Sequence, residues 1–466
     1  MLSTPLTIRL CGAEEFGRWA FLLSIATLLS VLDFGLPTTL NVYLSHGQAD
    51  DPRRTASRTM YAIICASVVS LVMGIVAAVL VLGAPQLPAG RRFITASANL
   101  PLAASMALFV STRIWGNAAS AFLQARMRYV ASNVIGLLFV IAIGIAVPWA
   151  AALGHGAQTF LHVNAIASAL VFVVYVAALR PEIGPLRALS LNTREWREMA
   201  RFGWSTWLGN LGGMMFSQLD RVVVGFLLGA RELGMYAAAT QVTAQINALS
   251  AIPVQPLLPH LSRLDGSRRR EDAFGLLTSA LTINTAMALA LSGLIAAWAP
   301  IISRLIMPGQ DALAMATCLR ILATIYGVYS LNAVGFYALF AIRRAGWISA
   351  ISIGAGMLTL VTIALAARYG GLTGAAFGNG TFVLTLLLTW TALREFQIST
   401  SVWFRIVRLP VCLWGGLIAV CSGLDLQELP AISLLSALFL VSIAGWALLP
   451  GRGGRPAWAT GRFSAP

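Results

Sequence analysis

The chain contains no lysine, and its 17 acidic residues are about half as many as its basic ones, all 32 of which are arginine. Charged residues make up 11% of the 466, against about 25% in an ordinary soluble domain. A phosphate-binding loop of the form GxxxxGK[ST] needs its lysine to reach the terminal phosphates, so the missing residue type alone removes ATP as a direct energy source. Histidine is nearly as scarce. His46, His155, His162 and His260 show no metal-ligand spacing, and no Ser/His/Asp or Cys/His arrangement can be argued. Neither catalysis nor a metal or other cofactor is therefore expected. The five cysteines, Cys11, Cys65, Cys318, Cys412 and Cys421, lie in or beside apolar runs without paired spacing, which fits packing. No positively charged segment, short apolar core and small-residue cleavage site precede the first run, so no removable signal peptide is read.

What the chain has in excess is apolar length: 58% hydrophobic residues and a mean hydropathy of +0.79. Runs of about 20 residues, enough to cross roughly 30 Å of hydrocarbon, recur from end to end. Membrane helices are predicted at about Trp19 to Leu44, Met60 to Leu82, Leu100 to Leu123, Val130 to Leu153 and Phe160 to Leu179. A polar stretch follows, and then runs at Trp204 to Leu228, Met235 to Leu258, Leu276 to Trp298, Ala312 to Leu339, Trp347 to Ala366 and Leu372 to Leu393. A last pair covers roughly Leu409 to Val420 and Leu429 to Leu448. The net charge of +15 does not point to nucleic acid, because the arginines concentrate in alternate short loops. One set of loops holds Arg53, Arg54 and Arg58, then Arg126 and Arg128, the stretch from Arg180 to Arg201, Arg263 to Arg270, Arg343 and Arg344, and Arg394 to Arg408. That side is expected to be the cytoplasm, with both termini on it.

The stretch LNTREWREMARFGW, Leu191 to Trp204, starts with Asn192 as a candidate N-cap and Glu195 three residues on, and reads as an interfacial helix linking two bundles. A repeat relates those bundles. GAEEFGRWAFLLSIATLLSVLDFGLPTTLNVYLS from Gly12 aligns without gaps on GARELGMYAAATQVTAQINALSAIPVQPLLPHLS from Gly229, an offset of 217 residues (229 − 12). Glu15 matches Glu232, Gly17 matches Gly234 and Trp19 matches Tyr236. The second copy follows a complete helix, whereas only Met1 to Cys11 precede the first, a stub of at most roughly 16 Å. The expectation is a start downstream of the natural one; a short or re-entrant first segment is the alternative.

Three segments carry a family likeness: LCGAEEFGRWAFLLSIATLLSVLDFGL from Leu10, SQLDRVVVGFLLGARELGMYAAA from Ser217, and IPVQPLLPHLSRL from Ile252. With the repeat, they make the chain resemble the polysaccharide flippases of the multidrug/oligosaccharidyl-lipid/polysaccharide exporter superfamily. The resemblance implies an all-α polytopic membrane protein with two pseudo-symmetric, MATE-like six-helix bundles around a central cavity, plus two C-terminal helices. On this sequence the bundles fall at 1–179 and 204–393, the linker at 180–203, the extra helices at 394–449 and a tail at 450–466. It also implies a place in the bacterial cytoplasmic membrane, a lipid-pyrophosphate-linked oligosaccharide as substrate, a polysaccharide polymerase machinery as partner and action as a monomer.

Ionisable groups inside hydrocarbon are costly, about 2.5 to 3.5 kcal/mol each on insertion scales, and are functional candidates by default. Arg113 lies near the midplane, roughly 14 Å from the nearer end of its predicted helix. Arg221 and Arg320 sit about 10 Å from the outer ends of theirs. Guanidinium groups suit a pyrophosphate because their donors are planar and bidentate. The competing reading locks each arginine to a carboxylate or a backbone carbonyl. Asp220 points about 100 degrees away from Arg221 around the helix and is not its natural partner. Asp33, beside Gly35 and Pro37, is a site for a proton or sodium ion, or else pairs with Arg113 or caps a kink. Pro253, Pro256 and Pro259 kink or end the equivalent helix of the second copy, where Gln241, Gln245 and Asn247 offer amides to sugars or to one another. Three functions compete on these residues. The first is a flippase supplying O-antigen, capsule or exopolysaccharide synthesis; the second is a cation-coupled multidrug exporter of the same superfamily. A membrane polymerase or ligase comes third, since the large extracytoplasmic loop such enzymes carry is not seen.

Overall fold

The structure is a computed structural model and describes residues 3–45, 52–86, 90, 93–94, 99–180, 193–214, 218–263, 269–307, 309, 311–342, 344–423 and 429–448. The tail 450–466, the Asn192 cap and linker residues 181–192 lie outside them. Among the described residues every regular element is helical, and the chain divides into two compact units, Met1–Gly234 and Met235–Pro466.

The first unit holds α1 (Ser3–Val31), α2 (Leu36–Ser45), α3 (Pro52–Gly83), α4 (Asn99–Ala125), α5 (Tyr129–Ala152), α6 (Ala157–Leu179), α7 (Thr193–Met214), α8 (Asp220–Leu228) and the first turn of α9 (Ala230–Ala251). Leu40 and Leu44 of α2, Ala66 of α3, Phe122 of α4 and Met199 of α7 form its main core. The outer faces are as apolar as the inner: Val140 is 64% exposed and Ile145 63%. Water cannot cover such helices without a large penalty, whereas lipid can. The second unit continues α9 and adds α10 (Leu257–Arg263), α11 (Arg269–Ala297), α12 (Ala299–Ile306), α13 (Asp311–Tyr329), α14 (Ala333–Ala341), α15 (Ala345–Gly378), α16 (Leu387–Glu395), α17 (Thr400–Gly423) and α18 (Leu429–Leu448). Its two C-terminal helices dock on α11 through Leu289, Trp414, Leu417 and Phe439.

Both copies of the repeat are interrupted at matching places. Gly12 breaks α1 with φ of 84°, and Gly229 separates α8 from α9 with φ of 106°, conformations that a residue with a Cβ adopts only under strain. Further along, α1 stops at Val31 before α2 resumes at Leu36, and α9 stops at Ala251 before a 3-10 turn over Ile252–Val254 and α10. Pro253 and Pro256 enforce the second break by removing backbone donors. The offset persists beyond the aligned segment, because Gly154 and Gly371, also 217 apart (371 − 154), have φ of 79° and 54°. Within the first unit the repeat partners touch. A Cβ on Gly17 would collide with the Ala230 carbonyl, and one on Gly234 would collide with the Ala13 carbonyl. Two Ala-x-x-x-Gly turns thus cross at backbone contact, as small-xxx-small pairs allow.

Two boundaries differ from the expectation. No interfacial helix ends near Trp204: α7 runs unbroken from Thr193 to Met214. The reason is a seam of Trp196, Met199, Gly203 and Trp207, spaced by three or four residues along one side of α7. Trp196 donates to the Ser57 hydroxyl, Gly203 packs on the Phe34 and Gly35 carbonyls, and Trp207 donates to the Val31 carbonyl at 2.9 Å. That continuous seam ties the expected linker to the span after it, and by its contacts the whole helix belongs to the first unit. The run Leu372 to Leu393 is also not one α-helix: α15 bends at Gly371, gives way to a 3-10 stretch over Asn379–Leu386, and resumes as α16.

Candidate functional site

Among the described residues, eight helical spans are long and apolar enough to cross a membrane, and the bent pair of α1 and α2, taken as one span, makes a ninth. Helices α4 and α9, with 27 and 22 residues, are long enough but too polar to be among them. A helix of that length and polarity, set among apolar ones, must turn its polar groups toward protein or water rather than lipid. These two, with α8 and the bent pair, carry every candidate residue except Arg320.

Arg113 lies half-buried in α4. Its guanidinium sits over the Phe139 ring of α5, 4.8 Å from the centroid, and Tyr175 of α6 is its other electrostatic neighbour. Among the described residues no carboxylate pairs with it. Asp33, 8% exposed, instead accepts the Gly35 N–H at 3.0 Å and so closes the turn between α1 and α2. That turn is wedged in place: Phe34 stacks on Trp204 at 5.9 Å, and a Cβ on Gly35 would meet the Gly203 backbone. Between the two structural alternatives for Asp33, the geometry shows the cap on the break and no pair with Arg113 among the described residues.

Asp220, 2% exposed, starts α8 and accepts the backbone N–H of Arg221 at 2.7 Å. The Nε of Arg320 in α13 donates to the Ala296 carbonyl of α11 at 3.4 Å, and its charge lies beside Cys421 of α17. That position is the seam where the C-terminal helices dock. Gln241 is exposed on α9, and Gln245 one turn later reaches the Gln241 carbonyl at 3.4 Å. Asn247 accepts the Ser250 hydroxyl through its backbone, so its amide is not used in that bond. The amides of Gln241, Gln245 and Asn247 therefore do not close on one another. Among the described residues no group of three or more His, Cys, Asp or Glu is placed to hold a metal ion.

Several structural contacts were not foreseen. Glu15 accepts the Ala157 N–H at the start of α6 at 2.8 Å and receives Arg18 at 2.8 Å, so its carboxylate caps a helix 142 residues away. Trp19 lies edge-on to Phe160 at 5.9 Å, while its repeat partner Tyr236 accepts from Asn379 at 2.9 Å. The only sequence signal for any of these was the repeat itself, which marked positions 15, 17 and 19 without saying what they touch.

A family model described as "Polysaccharide biosynthesis protein" matches residues 1–265, more than half of the chain. The probable flippase AglR of Haloferax volcanii is 28% identical over 113 residues, 24% of this chain and 22% of that protein. The match thus spans about a fifth of that relative's length. Among solved structures, the lipid II flippase MurJ in an inward closed conformation superposes with a TM-score of 0.72 at 12% identity, covering 96% of this chain and 95% of that one. An inward-facing MATE-family multidrug resistance transporter of the MOP superfamily gives 0.66 at 14% identity, covering 85% and 97%. At these identities the structures establish the shared fold, that of the MATE-like and MurJ-like multi-span transporters.

Proposed function

The chain belongs to the polysaccharide biosynthesis protein family, and from that premise we propose that it is a flippase. It carries a lipid-pyrophosphate-linked oligosaccharide across the bacterial cytoplasmic membrane by alternating access, for O-antigen, capsule or exopolysaccharide assembly. The observation that carries this reading is Arg113: a cation deep in a membrane helix, faced by Phe139 and Tyr175, with no carboxylate pairing it among the described residues. A cation held at that depth is costly unless an anion visits it, and a pyrophosphate head group is such an anion. Arg221 remains a second head-group candidate. Arg320 fits helix packing better, since its Nε is already spent on the Ala296 carbonyl. The exposed Gln241 is placed to meet sugar hydroxyls. The arginine asymmetry of the loops supports cytoplasmic termini.

One observation favours the exporter as second reading: Asp33 is a buried carboxylate without a cation partner among the described residues, which suits a proton-coupled cycle. A single experiment separates the two. Cells lacking the gene are assayed for lipid-linked oligosaccharide on the cytoplasmic leaflet, then complemented with the wild-type chain or with Arg113→Ala. Accumulation that wild type relieves, and Arg113→Ala at equal protein level does not, is the expected result. Altered drug sensitivity without accumulation would transfer the assignment to the exporter.

A further inference from the structure

Three spans of the second unit break at one level. Helix α9 gives way to the 3-10 turn Ile252–Val254 before α10, α13 to the turn Ser330–Asn332 before α14, and α15 to the stretch Asn379–Leu386 before α16. The helices past the breaks hold 7, 9 and 9 residues, about 10, 13 and 13 Å of length, and each runs out into an arginine-rich loop. The breaks therefore lie at nearly the same distance from that end. Each has a cause in its own sequence. Pro253 supplies no backbone donor, while the Ser330 hydroxyl donates to the Tyr326 carbonyl at 2.6 Å and the Thr385 hydroxyl to the Phe382 carbonyl at 2.8 Å, side-chain bonds that compete with the α-helical ladder. The first unit lacks two of the three. At the 217-residue offset Ser330 corresponds to Arg113 (330 − 217), inside unbroken α4, and Asn379 to His162 (379 − 217), inside unbroken α6.

Past the breaks the three segments form one body. Leu257 and Leu261 of α10, Val334 and Leu339 of α14, and Leu388 and Leu393 of α16 share a single core. A Cβ on Gly335 would run into the backbone of Leu388 and Thr389, so α14 and α16 cross without room to slide. Asn332 donates to the Thr385 hydroxyl at 3.0 Å, and the Thr389 hydroxyl donates to the Leu331 carbonyl at 3.0 Å, which couples the second break to the third. At the arginine-rich end Arg344 pairs with Glu395 at 3.5 Å. The neighbours are built differently. Helices α11 and α17 run unbroken for 29 and 24 residues and offer this core Ala273, Leu277 and Ile406, apolar groups whose attraction is not directional. A 3-10 stretch in mid-helix often marks a hinge. Three of them at one depth, leading into one body, permit a common swing, whereas a single break permits only a local bend.

We propose that α10, α14 and α16 form a plate that swings as one body on these three hinges against α11 and α17, opening and closing the arginine-rich end of the second unit during transport. The motion belongs to the fold and does not depend on which cargo is carried.

The test is pulsed electron–electron distance measurement on the purified full chain in nanodiscs. Spin labels are carried on p-acetylphenylalanine, which leaves the native cysteines in place, at the exposed residues His260, Phe340, Trp390 and Phe404. The pairs His260/Phe404 and Phe340/Phe404 read the plate against α17, and His260/Trp390 reads across the plate. Two distance populations are expected for both plate-to-α17 pairs and one for the pair within the plate. Gly380→Ala, whose added Cβ meets nothing within 4 Å, favours helix over the flexible stretch and is expected to shift the population ratio at least about threefold, equally in both plate-to-α17 pairs; Gly354→Ala, in the regular part of α15 with the same free space, is expected to leave it unchanged. If one plate-to-α17 pair misfolds, the other decides. A single population in the plate-to-α17 pairs, a split within the plate, or a ratio that Gly380→Ala does not move overturns the proposal. No substrate enters this measurement, so its failure leaves the flippase reading standing, and the leaflet assay tests that reading without reference to the plate.

Discussion

Replacing Gly17 by alanine puts a methyl group into the crossing of α1 with the first turn of α9. The new Cβ would overlap the Ala230 carbonyl oxygen outright, with the carbonyl carbon at 2.7 Å and the Gly234 nitrogen at 2.8 Å, at least about 0.7 Å inside the roughly 3.5 Å of ordinary contact. These atoms belong to the backbone, so none can rotate away, and the helices must part. Forcing an extra carbon into a packed seam costs about 1 to 3 kcal/mol, or about 5- to 150-fold in the folding equilibrium. Gly234→Ala meets the same obstacle from the other side, the Ala13 carbonyl. The two glycines share one seam, so a double variant should be destabilised by less than the sum, with a coupling of about 0.5 kcal/mol or more. Thermal melting of the purified full chain, followed by tryptophan fluorescence, reads all three. Gly144→Ala is the control, since nothing lies within 4 Å of its added Cβ. A Gly17→Ala chain that melts with the control, or a double variant that is strictly additive, refutes the close crossing.

Glu15→Ala leaves the Ala157 N–H at the start of α6 without its charged acceptor and should cost about 1.5 to 3 kcal/mol, while Glu15→Gln, which keeps an acceptor, should lie between it and wild type in the same melt. Asp33→Asn keeps the oxygen that accepts the Gly35 N–H and should preserve both stability and export; loss of export at normal stability would show that the ionised carboxyl is used in transport. Arg320→Leu removes the donor to the Ala296 carbonyl and should leave export unchanged in the leaflet assay, whereas lost export at normal protein level would return Arg320 to the substrate path.

Much of the fold was legible because membrane sequence signals are local and strong. Length and apolarity located the spans, and the 217-residue offset found Gly12 and Gly229, whose shared backbone break the structure displays. Pro253 and Pro256 announced the break in α9 because a missing N–H is visible in one dimension. What stayed hidden depends on a distant partner. Glu15 was marked by the repeat, but nothing near it points to Ala157, 142 residues on. Gly17 and Gly234 aligned as equivalents, yet that they meet is a fact of packing. The interfacial helix was drawn to end at Trp204 from a change in composition, while the seam through Trp196, Met199, Gly203 and Trp207 carries the helix across that change.

The candidate site was legible to a different degree for each residue, and the reason is physical. An isolated charge in an apolar run has the same appearance whether it faces a substrate or a backbone carbonyl, so Arg113 and Arg320 read alike in one dimension. The helices that hold them do not. Arg320 belongs to a span apolar enough to pass as a membrane helix, and one carbonyl of α11 engages its Nε. Arg113 belongs to α4, which falls short of that standard because Ser, Thr and Asn accompany the cation along its length. The hydroxyl and amide groups along α4 need polar partners of their own, which the single hydrogen bond of Arg320 does not require. On the flippase reading proposed above, the polarity of the surrounding helix, more than the charge itself, is what favours Arg113 over Arg320 as the cation for an anionic head group.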